Sequence, residues 1–277
     1  MRRPGWRAFA ALALAALGLW SVAIEPRWVA ARTETLDSAA WGAQPRLRIA
    51  VASDWHITER SLWRVTDVER ARRIVDAINA ARPDLVLLPG DFLAGHGGDE
   101  PLPIETMAEV LGRLKAPLGV YAVLGNHDWW HDGARITHAL SAQGIVVLEN
   151  DAVPLPGRAL WVVGIGDHST GHSRPDRALS RVPAGAPTLV LMHDPASLAG
   201  MPRLAALAPV LTVAGHTHGG QVWVPGYGAP IVPGAAPRTW AYGWIENRGR
   251  RMYVTSGLGV SILPVRFNMR PEWVMFE

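Results

Sequence analysis

Residues 47–56 read LRIAVASDWH, a short apolar run that ends in two side chains able to bind a metal ion. The branched and small apolar residues at positions 47–53 predict a buried strand. Asp54 and His56 follow it two residues apart, so on an extended chain both side chains face the same way. Taken alone, this pair is more simply explained as a turn aspartate and a surface histidine, so its meaning depends on the rest of the chain.

Strand and helix patterns alternate after this run. Thr66-Asp67-Val68-Glu69 has the form of a helix capping box, and apolar residues at helical spacing follow it. A second helix is predicted around residues 104–114. Further strands are predicted at 85–88, 119–124, 145–148, 160–163, 188–192, 210–214, 221–224, 240–245 and 252–255. We therefore expect an α/β fold, a four-layer αββα sandwich of two stacked mixed β-sheets, with an added N-terminal membrane helix.

Four more polar motifs stand directly after predicted strands. They are Gly90-Asp91, Gly125-Asn126-His127-Asp128, His193 and Gly215-His216-Thr217-His218-Gly219-Gly220. Individually, a Gly-Asp turn or a packed histidine would explain two of them, whereas paired histidines beside glycines favour metal binding. Ligands gather beyond the carboxyl ends of strands in open α/β sheets, so five such motifs in one chain predict a single site.

Composition restricts the chemistry of that site and its partners. The chain of 277 residues has no cysteine, so nitrogen and oxygen must hold any metal, and this histidine-rich set suits Mn, Fe, Zn or Co. The net charge of +3 comes almost wholly from scattered arginines. Since they form no basic stripe, we expect no nucleic-acid partner, while anionic substrates and lipid headgroups remain compatible.

The N-terminus predicts a membrane segment over residues 1–28. Arginines at positions 2, 3 and 7 precede an uncharged run from Ala8 to Ile24, which as a helix would span about 26 Å. Trp20 and the stretch 25–28 favour an uncleaved anchor at a membrane interface. Ser21-Val22-Ala23 has the form of a signal-peptide cleavage site, which is the alternative. Residues 29–45 are predicted to be a linker, and 46–277 the catalytic domain.

Taken together, the five motifs resemble the calcineurin-like metallophosphoesterase superfamily, which carries Asp-x-His, Gly-Asp, Gly-Asn-His-Asp/Glu, a lone His and Gly-His-x-His in this order. The resemblance covers about residues 47–221. It implies two divalent metal ions, with His127 as the catalytic histidine. The ligands that it implies are Asp54, His56, Asp91 and His218 for one ion, and Asp91, Asn126, His193 and His216 for the other.

The anchor, Gly257-Leu258-Gly259 and Pro264-Val265-Arg266-Phe267 resemble the bacterial membrane-associated branch of that superfamily. This resemblance implies a phosphodiesterase or pyrophosphatase that acts on a lipid-linked or nucleotide substrate, as UDP-2,3-diacylglucosamine hydrolases of lipid A biosynthesis do. It also implies a single span in the bacterial inner membrane. The arginines before the span favour a catalytic domain on the outer, periplasmic side, a bias that Arg27 and Arg32 weaken. A nuclease or a non-enzymatic scaffold on the same fold are the alternatives.

Overall fold

The computed structural model describes residues 5–36, 41, 45–59, 65–95, 102–201 and 208–277. The helices are α1 (Trp6–Leu19), α2 (Val68–Ala80), α3 (Ile104–Leu111), α4 (Asn126–Ala142), α5 (Pro175–Leu179) and α6 (Ser197–Gly200). The strands are β1 (Ala30–Glu34), β2 (Ile49–Val51), β3 (Leu85–Leu88), β4 (Val120–Ala122), β5 (Val146–Val147), β6 (Asp151–Pro154), β7 (Trp161–Ile165), β8 (Pro187–Met192), β9 (Ala208–Ala214), β10 (Gly243–Asn247), β11 (Arg250–Val254) and β12 (Glu272–Phe276).

The strands form two mixed sheets. The first is six-stranded in the order β1-β12-β2-β3-β4-β5, and the second is six-stranded in the order β10-β11-β9-β8-β7-β6. In the first sheet β12 runs antiparallel to β2, and the other neighbours are parallel. In the second, β10 pairs antiparallel with β11 and β6 with β7, whereas β7, β8, β9 and β11 are parallel neighbours.

Successive side chains of each strand point to opposite faces of the sheet, and the core is therefore divided into layers. Ile49 and Val51 of β2 pack with Leu191 of β8 in the apolar layer between the two sheets. Ala50 faces the other way and packs with helices α2, α3 and α4. Val190 likewise faces away from the first sheet, toward α5 and α6. Side chains on a strand point alternately to its two faces, so both faces of each sheet are covered, and the predicted four-layer sandwich is confirmed.

The start of α2 corrects one detail of the sequence prediction. Asp67, rather than Thr66, is the N-cap, and its carboxylate accepts a hydrogen bond of 2.7 Å from the Arg70 backbone N–H. The carboxylate satisfies one of the backbone donors that the first turn of a helix leaves without a partner. The apolar face predicted for this helix is buried against the first sheet.

The predicted linker of residues 29–45 is wrong for Ala30–Glu34. These residues form β1 and pair in parallel with β12, Ala30 opposite Glu272. Residues 37–40 and 42–44 of that stretch lie outside the described residues. The strand predicted at 221–224 is also wrong, because Val222 and Val224 make single bridges to Phe267 and Gly228. Strands β6 and β12 were not predicted.

The N-terminal segment is helical from Trp6 to Arg27, a stretch of 22 residues that is long and apolar enough to cross a membrane. Its length is about 33 Å at 1.5 Å per residue, against roughly 30 Å for the hydrocarbon core of a bilayer. No residue of α1 is buried. Length and composition alone also allow a signal sequence. The arginines at positions 2 and 3 lie outside the described residues.

Candidate metal centre

The five motifs meet at the carboxyl ends of β2, β3, β8, β9 and the segment after β4. The side chains form three groups, and within each group the potential ligand atoms lie within 4.8 Å of one another. The groups are Asp54, His56 and His218; His56, Asp91 and His127; and Asp91, His193 and His216. All of these side chains are buried. Asn126 joins the third group through its Oδ1, which lies 3.0 Å from His193 Nε2. The structure thus brings together every site residue predicted from the sequence.

Asp91 lies between two histidine groups. Its Oδ2 is 3.6 Å from His56 Nε2 and 3.3 Å from His193 Nε2. His56 Nε2 is also 3.0 Å from His218 Nε2, and His193 Nε2 is 3.1 Å from His216 Nδ1. On the far side of the first group, Asp54 Oδ1 is 3.5 Å from His218 Nε2. One carboxylate therefore reaches both groups.

The backbone at these residues is unusual. Asp54, His56, Asp91, His216 and His218 all have positive φ angles, between 45° and 68°. The left-handed region is uncommon for residues other than glycine, and each such residue costs on the order of 1 kcal/mol or more. Because the cost falls on the residues that converge at one point, the loops are folded to aim these side chains.

Two glycines of the motifs are required by close packing. A Cβ atom at Gly125 would collide with the carboxylate of Asp91, and one at Gly215 would collide with Ser53 and with the carboxylate of Asp54. The glycines in Gly-Asn-His-Asp and Gly-His-Thr-His therefore make room for the acidic side chains.

Asp128 holds the loop that carries Asp91. Its carboxylate accepts hydrogen bonds from the backbone N–H groups of Asp91, Phe92 and Gly125, at 2.8 to 2.9 Å. Burial raises the pKa of Asp128 to about 7, and the charge of Asp91 adds to this effect. The hydrogen bond from the Gly125 N–H also caps the start of α4, because Gly125 is the N-cap residue of that helix.

Three histidines of the centre have lowered pKa values. Burial lowers the pKa of His56 to about 3, and nearby His127 adds to the shift. Burial also lowers the pKa of His216 and holds that of His218 well below its usual range. Neutral imidazole is the form that binds a metal ion, so these rings are ready for coordination near pH 7.

The pKa values of the two central carboxyl groups shift in opposite directions. Burial raises the pKa of Asp54 to about 6. Burial acts to raise the pKa of Asp91 too, but the combined effect of His193, His127 and His56 outweighs burial and holds this pKa well below its usual range. Against the effect of burial, Asp91 in turn raises the pKa of His193 well above its ordinary value.

The donor set fits two metal ions. Two pairs of imidazole nitrogens face each other, His56 with His218 at 3.0 Å and His193 with His216 at 3.1 Å. Within such a pair only one nitrogen can carry a proton that points at the other, whereas a cation can accept the lone pairs of both nitrogens. Nitrogen and oxygen donors without sulfur suit Mn, Fe, Co or Zn. The clusters on the two sides of Asp91 therefore fit a dinuclear site.

His127 is held by a main-chain contact. Its Nδ1 contacts the carbonyl oxygen of Gly95, and since a carbonyl only accepts, Nδ1 donates and Nε2 is the nitrogen that exchanges a proton. The ring lies edge-on to His56, with centroids 4.7 Å apart.

Some neighbours of the site were not anticipated. Ser169 Oγ donates to Asp194 Oδ2 at 2.7 Å and lies 3.4 Å from His216 Nε2. The position of Asp194, directly after His193, is the signal that could have found it. Three further histidines lie in loops: His172 stacks on Trp129, with ring centroids 3.7 Å apart, His168 is exposed, and His96 lies outside the described residues.

Comparisons with known proteins agree with this geometry. The family model described as calcineurin-like phosphoesterase matches residues 47–220. Phosphodiesterase YaeI of Escherichia coli K12 is 35% identical over 201 residues, covering 71% of this chain and 70% of that protein. The metallophosphoesterase YkuE of Bacillus subtilis 168 is 29% identical over 281 residues, covering 97% of this chain and 93% of that protein. A transmembrane protein with a metallophosphoesterase domain from Danio rerio is 27% identical, covering 82% of this chain and 52% of that protein.

Proposed function

This chain belongs to the calcineurin-like phosphoesterase family, and from that premise we propose that it is a phosphodiesterase or pyrophosphatase acting at a membrane on a lipid-linked or nucleotide substrate. The broader class, a metal-dependent phosphoesterase, follows from the family itself. The observation that carries the proposal is the Asp91 carboxylate, which lies within reach of both buried histidine groups. A UDP-diacylglucosamine-type pyrophosphate is one candidate substrate.

The proposed ligands are those that the motifs imply. We assign Asp54, His56, Asp91 and His218 to one ion, and Asp91, Asn126, His193 and His216 to the other. The short distances within each group and the shared position of Asp91 support this division. When bound there, two divalent cations supply Lewis acidity to the phosphoryl oxygens and make a water molecule more acidic.

The chain's own residues supply proton transfer and position. His127 holds a proton at Nε2 and passes it to the oxygen that leaves phosphorus, while Gly95 fixes the other ring nitrogen. The Asp91 Oδ1 accepts from the His127 backbone N–H at 2.9 Å, so the proton donor and the shared carboxylate are held in register. Asp128 keeps the Asp91 loop in place through its three backbone contacts.

The helix from Trp6 to Arg27 is proposed to be an uncleaved anchor in a bacterial inner membrane, with the catalytic domain on the outer side. Its end is attached to the domain, which supports retention. The carbonyl oxygen of Ser21 accepts from Arg266 N–H at 2.9 Å, and buried Glu25 accepts from Met269 N–H at 2.7 Å.

Metal content and hydrolysis of bis-p-nitrophenyl phosphate and p-nitrophenyl phosphate test the proposal together. We expect two ions per chain and faster hydrolysis of the diester. Asp91→Asn should lower metal content and reduce kcat/KM more than about 1,000-fold, the scale of several kcal/mol of lost charge stabilisation. Asp76→Asn, at an exposed aspartate of α2, is the control and should keep both. An Asp91→Asn protein with full metal content and near-normal turnover would refute the assignment.

A further inference from the structure

Exposed apolar side chains gather in two loops of the catalytic domain. Val224, Tyr227 and Ile231 are 40, 60 and 79% exposed, and Ile262 and Leu263 are 85 and 61% exposed. We call these five residues the apolar rim. Ile262 is also a β-branched residue at a φ of 62°, a conformation that such side chains rarely adopt. Contiguous exposed apolar residues mark a surface that contacts something other than water.

The two loops form one surface. The Gln221 side chain accepts from Ser261 N–H at 2.7 Å and donates to the Leu263 carbonyl at 3.1 Å. The backbone of Phe267 accepts from Trp223 N–H and donates to the Gln221 carbonyl, both at 2.8 Å. These four hydrogen bonds hold the two halves of the apolar rim side by side.

The apolar rim borders the metal centre. Ile262 lines a cavity together with His127, His216 and His218. Ile262 and Leu263 also line an adjoining cavity of about 280 Å³ that reaches His56 and His127. A substrate that reaches the metal centre through either cavity therefore passes the apolar rim.

The apolar rim is also tied to the membrane helix. Arg266, four residues after Ile262, donates its backbone N–H to the carbonyl oxygen of Ser21, near the end of that helix at Arg27. The Arg266 guanidinium is fully buried and binds the carbonyl oxygens of Ser256 and Gly259, each at 2.7 Å, which fixes the loop. Four extended residues span at most about 14 Å, so the Cα atom of Ile262 lies within that distance of the Cα atom of Arg266.

We propose that the apolar rim sits in the headgroup layer of the membrane that α1 enters, so that the metal centre receives the phosphoester of an amphiphile directly from the bilayer surface. This rests on the proposed function, in which the helix is retained. Two arginines could bind anionic lipid headgroups. The guanidinium of Arg238 lies 4.1 Å from the ring centroid of Tyr227 in the apolar rim, and that of Arg270 lies 3.9 Å from the ring centroid of Trp28, directly after the helix. Aromatic rings are enriched at this depth of a membrane.

A second copy of the chain or another protein is the competing occupant. The contacts with the anchor favour the membrane as the occupant. The loop that carries Ile262 and Leu263 continues to Arg266 and Met269, whose backbone N–H groups donate to Ser21 and Glu25 of the helix. Lipid is therefore present next to the rim whenever the helix spans the bilayer.

The absence of cysteine from the chain allows a direct test. Ile262→Cys and Ile231→Cys, each labelled with an environment-sensitive fluorophore, are compared with Val146→Cys in the full chain. Val146 is another exposed apolar residue, 39% exposed, but it lies on β5, the edge of the first sheet farthest from β1. The proteins are reconstituted into vesicles of phosphatidylethanolamine and phosphatidylglycerol.

We expect labels at positions 262 and 231 to be quenched several-fold more by brominated lipid, and several-fold less by aqueous iodide, than the label at 146. Equal iodide quenching at all three positions would overturn the proposal. Shielding of 262 and 231 from both quenchers would overturn it too, in favour of a protein that covers the rim. Hydrolysis of bis-p-nitrophenyl phosphate with Mn²⁺ is measured on the unaltered, unlabelled protein in the same vesicles. If the protein hydrolyses the diester but the labels at 262 and 231 are exposed to water, the membrane contact of the apolar rim is refuted and the proposed function stands. If the labels are quenched by lipid but the diester is not hydrolysed, the proposed function is refuted and the membrane contact stands.

Discussion

His127 is the histidine of the centre that the assignment leaves outside the ligand set. Its Nδ1 donates a hydrogen bond to the Gly95 carbonyl oxygen. The Nδ1 of His193 contacts a main-chain carbonyl oxygen too, that of Pro89 at 2.8 Å, but its Nε2 faces the proposed ligands Asn126 and His216, at 3.0 and 3.1 Å. A ring oriented by a main-chain acceptor, with its second nitrogen near the reacting groups, has the geometry of a general acid.

His127→Ala should therefore keep metal and lose rate. We expect about a 100- to 10,000-fold fall in kcat for bis-phenyl phosphate, whose leaving group needs a proton, and a smaller fall for the p-nitrophenyl diester. His138→Ala, at an exposed position of the same helix, is the control. Equal losses on both substrates, at full metal content, would contradict acid catalysis by His127.

Glu149 is a partly buried acid outside the ligand set, and its Oε2 atom is buried. Its Oε1 accepts from Leu124 N–H at 2.8 Å, while its Oε2 has no hydrogen-bond partner among the described residues. Burial raises the pKa of Glu149 to about 7, with the charges of Asp167 and Asp128 adding to it. The folded protein therefore retains a proton there that the unfolded chain releases near pH 4.5.

Stability contributed by the neutral acid is complete below about pH 4.5 and is lost as the pH rises through about 7. Glu149→Gln keeps an acceptor for Leu124 and cannot ionise, so its stability relative to the unaltered protein should rise across this window. The rise should amount to a few kcal/mol at most, since one pKa unit corresponds to about 1.4 kcal/mol. Urea unfolding of both metal-free proteins at a series of pH values measures it. Parallel profiles would show that Glu149 does not titrate in this range.

At the scale of elements, the parts of the fold nearest the site were the most predictable. Strands β3 and β8 occupy almost the predicted ranges because each is a short apolar run bounded by turn residues. The motifs after them could be assigned to one site because parallel strands place their carboxyl ends at the same edge of a sheet. Local sequence contains both facts.

The edge of the first sheet could not be predicted in this way. β1 is mostly exposed and carries Arg32 and Thr33, so it has no apolar alternation, and it pairs with a strand more than 200 residues later. β12 begins with Glu272, which is fully buried. Its carboxylate accepts a hydrogen bond of 2.8 Å from the Tyr242 hydroxyl and forms an ion pair of 2.6 Å with Arg32, and these contacts stabilise it in the interior. Such contacts between distant segments leave no periodic signal in the sequence.

The left-handed residues of the site were also beyond sequence prediction. Asp54 and His56 were expected to share a direction because they lie two apart on an extended strand, yet β2 ends at Val51 and both residues have positive φ. Their side chains converge through the loop conformation. The prediction that Asp54 and His56 reach the same point is therefore correct, but the cause is the left-handed loop backbone and not the geometry of an extended strand.

At the scale of the whole molecule, the metal centre joins the two sheets. The loops after β2 and β3 of the first sheet supply Asp54, His56 and Asp91, and those after β8 and β9 of the second supply His193, His216 and His218. Without a cation, these loops hold two carboxylates and facing imidazole nitrogens in a buried space, where unsatisfied polar groups are costly. Bound metal should therefore stabilise the packing of one sheet on the other.

Removal of metal should lower the Tm of the full chain. A ligand that binds only the folded state at 100 times its Kd adds about 2.7 kcal/mol to the free energy of unfolding, and two ions add more. We expect a clear fall in Tm with EDTA and recovery on titration with Mn²⁺, followed by circular dichroism. Asp91→Asn, which lacks the shared carboxylate, should show a much smaller difference between the two conditions, while Asp76→Asn should respond as the unaltered protein does. Equal Tm values with EDTA and with saturating Mn²⁺ would mean that the loops of the two sheets hold their positions without metal, and the centre would then have no structural role.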